Sequence, residues 1–134
     1  MQNVRGAIPM KAATIAQVDA ELLRQQELKR SGRFARTCEQ MRDDDVLAVV
    51  LEEIAEVAEE IDGAYPEHLR EELVQVIACL VAWYERPARD LSPHFSPVAT
   101  RALRARVIAL GRESRKLQQL PVPQTAVAAV GGRL

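Results

Sequence analysis

A chain of 134 residues with 18 Lys and Arg against 19 Asp and Glu has a formal charge of -1, which removes any overall electrostatic case for nucleic acid or an anionic membrane. The length allows one domain with a modest core, and 48% apolar residues with only 4% aromatic favour helices packed on helices. Cys38 and Cys79 have no CxxC spacing and no paired His nearby, so neither a zinc site nor a disulfide framework is indicated, and a reduced, cytoplasmic setting fits.

Residues 1–9 show no periodicity and read as a flexible arm with no signal-peptide core. From about Met10 to Arg30, Ile15, Val18, Leu22, Leu23 and Leu28 recur at helical spacing, and Ser31-Gly32 ends this first helix with Lys29 and Arg30 in its last turn. The connector that follows is basic and holds one aromatic: Arg33, Phe34, Arg36 and Arg42. A solvated loop and a phosphate-and-base contact both account for it. One of Asp43, Asp44 and Asp45 then caps a second helix, from about Asp44 to Ile61.

That helix carries Glu52, Glu53, Glu56, Glu59 and Glu60 within one arc, opposite Leu47, Val50, Ile54, Val57 and Ile61. The arc contains no Lys or Arg. Like charges at i,i+4 cost about 0.2 to 0.5 kcal/mol per pair, so a divalent cation is the simplest compensation. The turn Asp62-Gly63-Ala64-Tyr65-Pro66 leads into a third helix from about Pro66 to Arg86. Beyond Leu73 this helix has no polar face, so other helices or a second subunit should surround it. Its apolar run, Leu73 to Tyr84, falls short of the roughly 20 residues that span a bilayer, so a soluble protein without a membrane partner is expected.

Residues 87–97 form a Pro-rich linker. A fourth helix runs from about Pro97 to Leu120, with six cations, Arg101, Arg104, Arg106, Arg112, Arg115 and Lys116, around Leu103, Val107, Leu110 and Leu117. Amphipathic packing accounts for it better than nucleic-acid binding, and residues 121–134 read as a flexible tail. The expected architecture is one all-α domain, antiparallel and four-helix-bundle-like, with a helical core over 10–86, completed by oligomerisation.

Glu53 and Glu56, at i,i+3, put two carboxylates on one side of the second helix, and Glu72 with Gln75 repeats that spacing on its neighbour. Four oxygen-bearing side chains without His suit Mg or Mn rather than zinc or a redox metal. The segments Glu52-Glu53-Ile54-Ala55-Glu56 and Glu71-Glu72-Leu73-Val74-Gln75 resemble the EExxE…ExxD signature of the MazG-like all-α nucleoside triphosphate pyrophosphohydrolases. The resemblance covers the second and third helices, and the stretch Leu23 to Phe34 is similar to the first helix of that superfamily.

The resemblance implies Mg-dependent cleavage of a nucleoside triphosphate between its α and β phosphates, by a homodimer or larger homo-oligomer. Glu53, Glu56 and Glu72 match the metal ligands, and Glu52 matches the first acid of the motif, a second-metal ligand or water-orienting group. Gln75 stands where the family has Asp, offering a carbonyl oxygen without charge and lowering metal affinity. Being the one polar residue in an apolar run, Gln75 is expected to be hydrogen-bonded at the site. Lys29, Arg33 and Arg36 are assigned to the phosphates and Phe34 to the base by position alone. His68, at i,i+4 to Glu72, reads as a solvated side chain. The alternative is a catalytically silent helical oligomer of the same fold that binds nucleotides or a protein partner, with Gln75 as its mark.

Overall fold

The computed structural model describes residues 10–31, 38–86 and 91–123. All regular structure among them is helical: α1 (Ala12–Arg30), α2 (Asp43–Glu60), α3 (Pro66–Glu85) and α4 (Pro97–Leu117), with a short 3-10 turn, Cys38–Gln40, before α2. The chain divides into two compact units, Met1–Thr100 and Arg101–Leu134, with the division inside α4. None of these helices is long and apolar enough to cross a membrane.

Each helix starts and stops for a local reason. α1 ends at Ser31, whose amide donates to the Glu27 carbonyl at 2.9 Å and whose Oγ donates to the Leu28 carbonyl at 2.9 Å. Lys29 and Arg30 lie in that last turn, where cations meet the negative end of the helix. α2 opens with Asp43, Asp44 and Asp45 all in its first turn, favourable to the positive end. None of them is the cap, contrary to expectation: the capping position is Arg42, without a side-chain cap bond.

The three acids are occupied elsewhere or inside the helix. Asp43 accepts from Trp83 Nε1 at 2.7 Å and from the Arg86 guanidinium. Asp45, only 2% exposed, accepts the backbone amides of His94 and Phe95 at 3.0 and 3.1 Å. Both bonds carry the charge assistance that makes carboxylate acceptors strong.

Between α2 and α3 the turn is closed by the Gly63 amide donating to the Glu60 carbonyl at 3.0 Å. A Cβ at Gly63 would stand 2.9 Å from the Glu60 carboxylate, which would have to swing aside, and 3.2 Å from its carbonyl, a tight contact that glycine avoids. Pro66 takes the first turn of α3, where its missing amide costs nothing. The first turn of α2 meets the last of α3 at Asp43 and Trp83, and the last turn of α2 meets the first of α3 at Glu60 and His68. The two helices therefore run antiparallel.

α1 packs on α3. Gln25 reaches Cys79 Sγ at 3.9 Å in the C-terminal halves, while Thr14 and Glu67 line one groove in the N-terminal halves, so these two helices run in the same direction.

The core of the first unit is built from small residues. Cys38, Met41, Val46, Val50, Cys79 and Ala82 are buried together, with Leu22, Val49 and Trp83 packed on them. Neither cysteine is in a disulfide. Fully burying a side chain such as Val46 stabilises by about 1.5 to 3 kcal/mol, which makes α2 and α3 the pair with most to lose on separation.

Periodicity predicted the faces of α2 and α3 less well than their extents. Val46 and Val50 turn inward, but Ile54 and Ile61 are exposed, whereas Glu53, Glu56 and Glu60 are half-buried. Relative to the expected orientation, α2 is rotated by roughly 80° at 100° per residue. The cause is at its first turn, where Asp43 is held by Trp83 and Arg86 and Asp45 by the 94–95 backbone. On α3, Leu73, Leu80 and Tyr84 are exposed, so the described residues of one chain do not surround this helix. On α1, Ile15 and Leu23 are exposed while Glu21 is buried.

The second unit comprises α4 from Arg101 and the turn after it. The helix ends at Leu117, a turn earlier than expected, and Gln119 and Leu120 donate to the Lys116 and Leu117 carbonyls at 3.1 and 3.2 Å. Arg115 and Lys116 occupy its last turn. Within α4, Leu103 and Val107 are half-buried, and Ile108, Leu110 and Leu117 are exposed.

Candidate functional site

The rotation of α2 brings two of its acids to the seam with α3. Glu53 and Glu56, one helical turn apart, meet Glu72, and one ligand oxygen from each lies within 4.8 Å of the other two. All three side chains are half-buried. Glu53 Oε2 and Glu72 Oε2 are buried and have no hydrogen-bond partner. A buried polar atom left unpaired costs about 1 to 3 kcal/mol, and more when charged, so this seam is a place where the fold gives up stability.

The electrostatics follow from that crowding. Burial, and then the charges of Glu56, Glu72, Glu52 and Glu21, push the Glu53 carboxyl up to about 7. Burial also raises Glu72, reinforced by a hydrogen bond shared with Glu56 and by the charges of Glu56, Glu60 and Glu71. Arg24 is the cation that feels this site. Its Nε and Nη2 donate to the two Glu21 oxygens at 2.7 and 2.5 Å, and the bonds to Glu21 together with the charges of Glu21 and Glu53 hold its proton more tightly than usual, against its own burial.

Beside the seam, α1 and α3 enclose a groove of about 840 Å³, lined among others by Thr14, Gln17, Glu21, Arg24, Arg70 and Gln75. Residues Glu67, Arg70, Glu71, Val74 and Gln75 recur at three and four residue steps, so one face of α3 forms that wall. Gln75, one turn beyond Glu72, stands where groove and seam adjoin.

The chain matches no family model, no curated protein and no solved structure.

Of the residues singled out from the sequence, Glu53, Glu56 and Glu72 are brought together. Glu52 is exposed and outside the trio, as is Glu59. Gln75 is half-buried on the groove wall, and its amide makes no hydrogen bond to another described residue, contrary to the expectation that it is held by one. Lys29 is half-buried in the last turn of α1 and is not among the groove residues. Arg33, Phe34 and Arg36 lie outside the described residues. His68 is exposed, 4.0 Å from a Glu60 oxygen and with its ring centroid 5.1 Å from that of Tyr65.

Two residues of the site escaped the sequence reading, Glu21 and Arg24. A signal for them existed: Glu21 falls at i+3 from Val18 and next to Leu22, on the apolar side of α1, where an acid without function is costly. Asp45 and the 94–95 backbone were also missed, and no local pattern marks a carboxylate that anchors a loop some fifty residues away.

Proposed function

We propose that this chain is a divalent-cation-dependent nucleoside triphosphate pyrophosphohydrolase of the MazG-like kind, with Glu53, Glu56 and Glu72 as the cation ligands. Two observations carry the reading: Glu53, Glu56 and Glu72 each bring one carboxylate oxygen within 4.8 Å of the other two, and Glu53 and Glu72 each have a buried oxygen with no hydrogen-bond partner.

The donor set fits the ion. Glu53, Glu56 and Glu72 would hold the ion, each offering one carboxylate oxygen within 4.8 Å of the other two. An all-carboxylate set without His or Cys suits Mg or Mn. When bound, the cation supplies positive charge to the polyphosphate and polarises a water.

The chain's own residues do the remainder. Glu53, Glu56 and Glu72 hold the ion and are relieved of their mutual repulsion. Glu52, on the open side of α2, orients the attacking water or holds a second ion. Gln75 offers a neutral carbonyl oxygen at the groove edge. Lys29, Arg33 and Arg36 take the phosphates and Phe34 the base. Water attack at phosphorus, with cleavage between the α and β phosphates, yields a nucleoside monophosphate and pyrophosphate. The helices form a bundle completed by a second copy, and the protein works in the cytoplasm.

Pyrophosphate release across a panel of nucleoside triphosphates, with Mg and with Mn, tests the reading. Activity lost in Glu72→Ala supports it. Isothermal titration that finds no Mg or Mn binding to the wild type sinks it. Gln75 favours a second reading, a nucleotide- or protein-binding oligomer without catalysis: cation binding with silence on every substrate would select that one.

A further inference from the structure

The overall charge of -1 hides an uneven distribution. Along the described part of the second unit, from Arg101 to Pro123, six cations stand against one acid, Glu113. At 100° per residue, Arg104, Arg115, Arg101, Arg112 and Lys116 fall within an arc of about 120°, and Glu113 lies outside it. The arc extends about 22 Å along the helix axis, at 1.5 Å per residue. Arg112, Arg115 and Lys116 are exposed, and none of the three forms an ion pair with another described residue. Like charges at i,i+3 and i,i+4, as in Arg112 with Arg115 and with Lys116, repel unless an anion offsets them. Leu103, Val107, Leu110 and Leu117 stand about half a turn from the centre of the arc. Amphipathic packing accounts for that apolar stripe, of which Leu103 and Val107 are half-buried, but gives the cations no role.

We propose that the cationic face of α4 binds the phosphate backbone of duplex DNA, with the helix lying along the major groove. Charge complementarity argues for a polyanion, and the helix argues for this one. A B-form major groove, about 12 Å wide, admits an α-helix. Arg104 and Arg115 on one edge of the arc and Lys116 on the other are placed for the phosphates of the two strands. The other polyanions fit less well. Single strands are held by stacking on aromatic side chains, and from Ser96 to Leu134 there is none. The major groove of duplex RNA is too narrow for a helix. An anionic membrane would take the apolar stripe and leave the cations on the far side of the helix, away from its headgroups. Phosphate contacts carry little sequence information, so the binding is general for duplex DNA. The inference concerns the second unit alone and does not depend on the divalent-ion site.

Fluorescence anisotropy of the full chain with a labelled duplex DNA of about 20 base pairs, in chelator and from about 50 to 200 mM salt, tests it. Three to five neutralised phosphates give a slope of log affinity on log salt of about -2.7 to -4.5, a loss of roughly 40- to 500-fold across that range. Arg112→Gln, Arg115→Gln and Lys116→Gln combined alter exposed side chains and leave the circular dichroism unchanged. The triple variant is expected to bind about tenfold more weakly or worse, with a slope shallower by about 2.7. Leu117→Gln, on the opposite face and 67% exposed, should leave DNA affinity within about twofold. No binding at about 50 mM salt, a flat salt dependence, or full binding by the triple variant overturns the proposal. So does tighter binding to single-stranded DNA or to duplex RNA of the same length. Tighter binding to phosphatidylserine vesicles that is lost in Leu117→Gln overturns it in favour of a membrane surface.

Discussion

Glu53→Gln is expected to make the cation-free protein more stable at neutral pH, the reverse of the usual effect of altering a half-buried polar residue. The Glu53 carboxyl is raised from 4.5 to about 7, first by burial and then by its acidic neighbours. The folded protein therefore holds this proton more tightly than the unfolded chain does. Its effect on stability is absent below pH 4.5, grows unfavourable as pH rises towards 7, and persists above. The interval corresponds to about 3.4 kcal/mol, and with the side chain partly open to solvent, screening reduces it to roughly 1 to 2 kcal/mol. Glu72, raised for the same first cause, lowers stability over the same direction of pH.

Gln keeps the size and removes the titration. Urea denaturation in chelator should show the variant gaining roughly 1 to 2 kcal/mol at about pH 8 and close to nothing at about pH 4. Added Mn reverses the order, because the wild type gains about 2.7 kcal/mol at a hundred times its Kd and the variant gains little. A variant less stable than wild type in chelator at the higher pH, or equally stabilised at both, refutes the reasoning.

Asp45→Ala removes the acceptor of two backbone amides from a fully enclosed position, and should cost about 2 to 4 kcal/mol. Hydrogen exchange at the His94 and Phe95 amides should quicken with it, and continued protection of both would show that Asp45 is not their anchor. Gln75→Asp adds a charge where groove and seam adjoin, and isothermal titration should find Mn bound about tenfold tighter, or 1.4 kcal/mol. An unchanged Kd would place residue 75 outside the reach of the ion.

The helices themselves were legible. Four periodic segments, bounded by Ser31, the Asp43–Asp45 cluster, the Gly63 turn with Pro66, and Pro97, gave each boundary to within a residue or two, apart from the last turn of α4. The pairing of Glu53 and Glu56 with Glu72 was legible too, because i,i+3 spacing on two helices joined by a tight turn leaves few other arrangements. Glu21 was marked only by its place beside Val18 and Leu22 on the apolar side of α1, and Arg24 not at all, since a salt bridge within α1 looks the same whether it faces water or a groove.

What the sequence alone determined is which residues share a helix and which share a face, because those depend on hydrogen bonds and side-chain spacing within a few residues. Which face turns inward was decided only by the tertiary structure. Asp43 with Trp83 and Arg86, and Asp45 with the 94–95 backbone, are bonds between residues 40 to 50 positions apart. They hold α2 at a rotation that buries Glu53 and exposes Ile54. That rotation gathers three carboxylates at one seam and leaves Ile54 and Ile61 of α2 exposed.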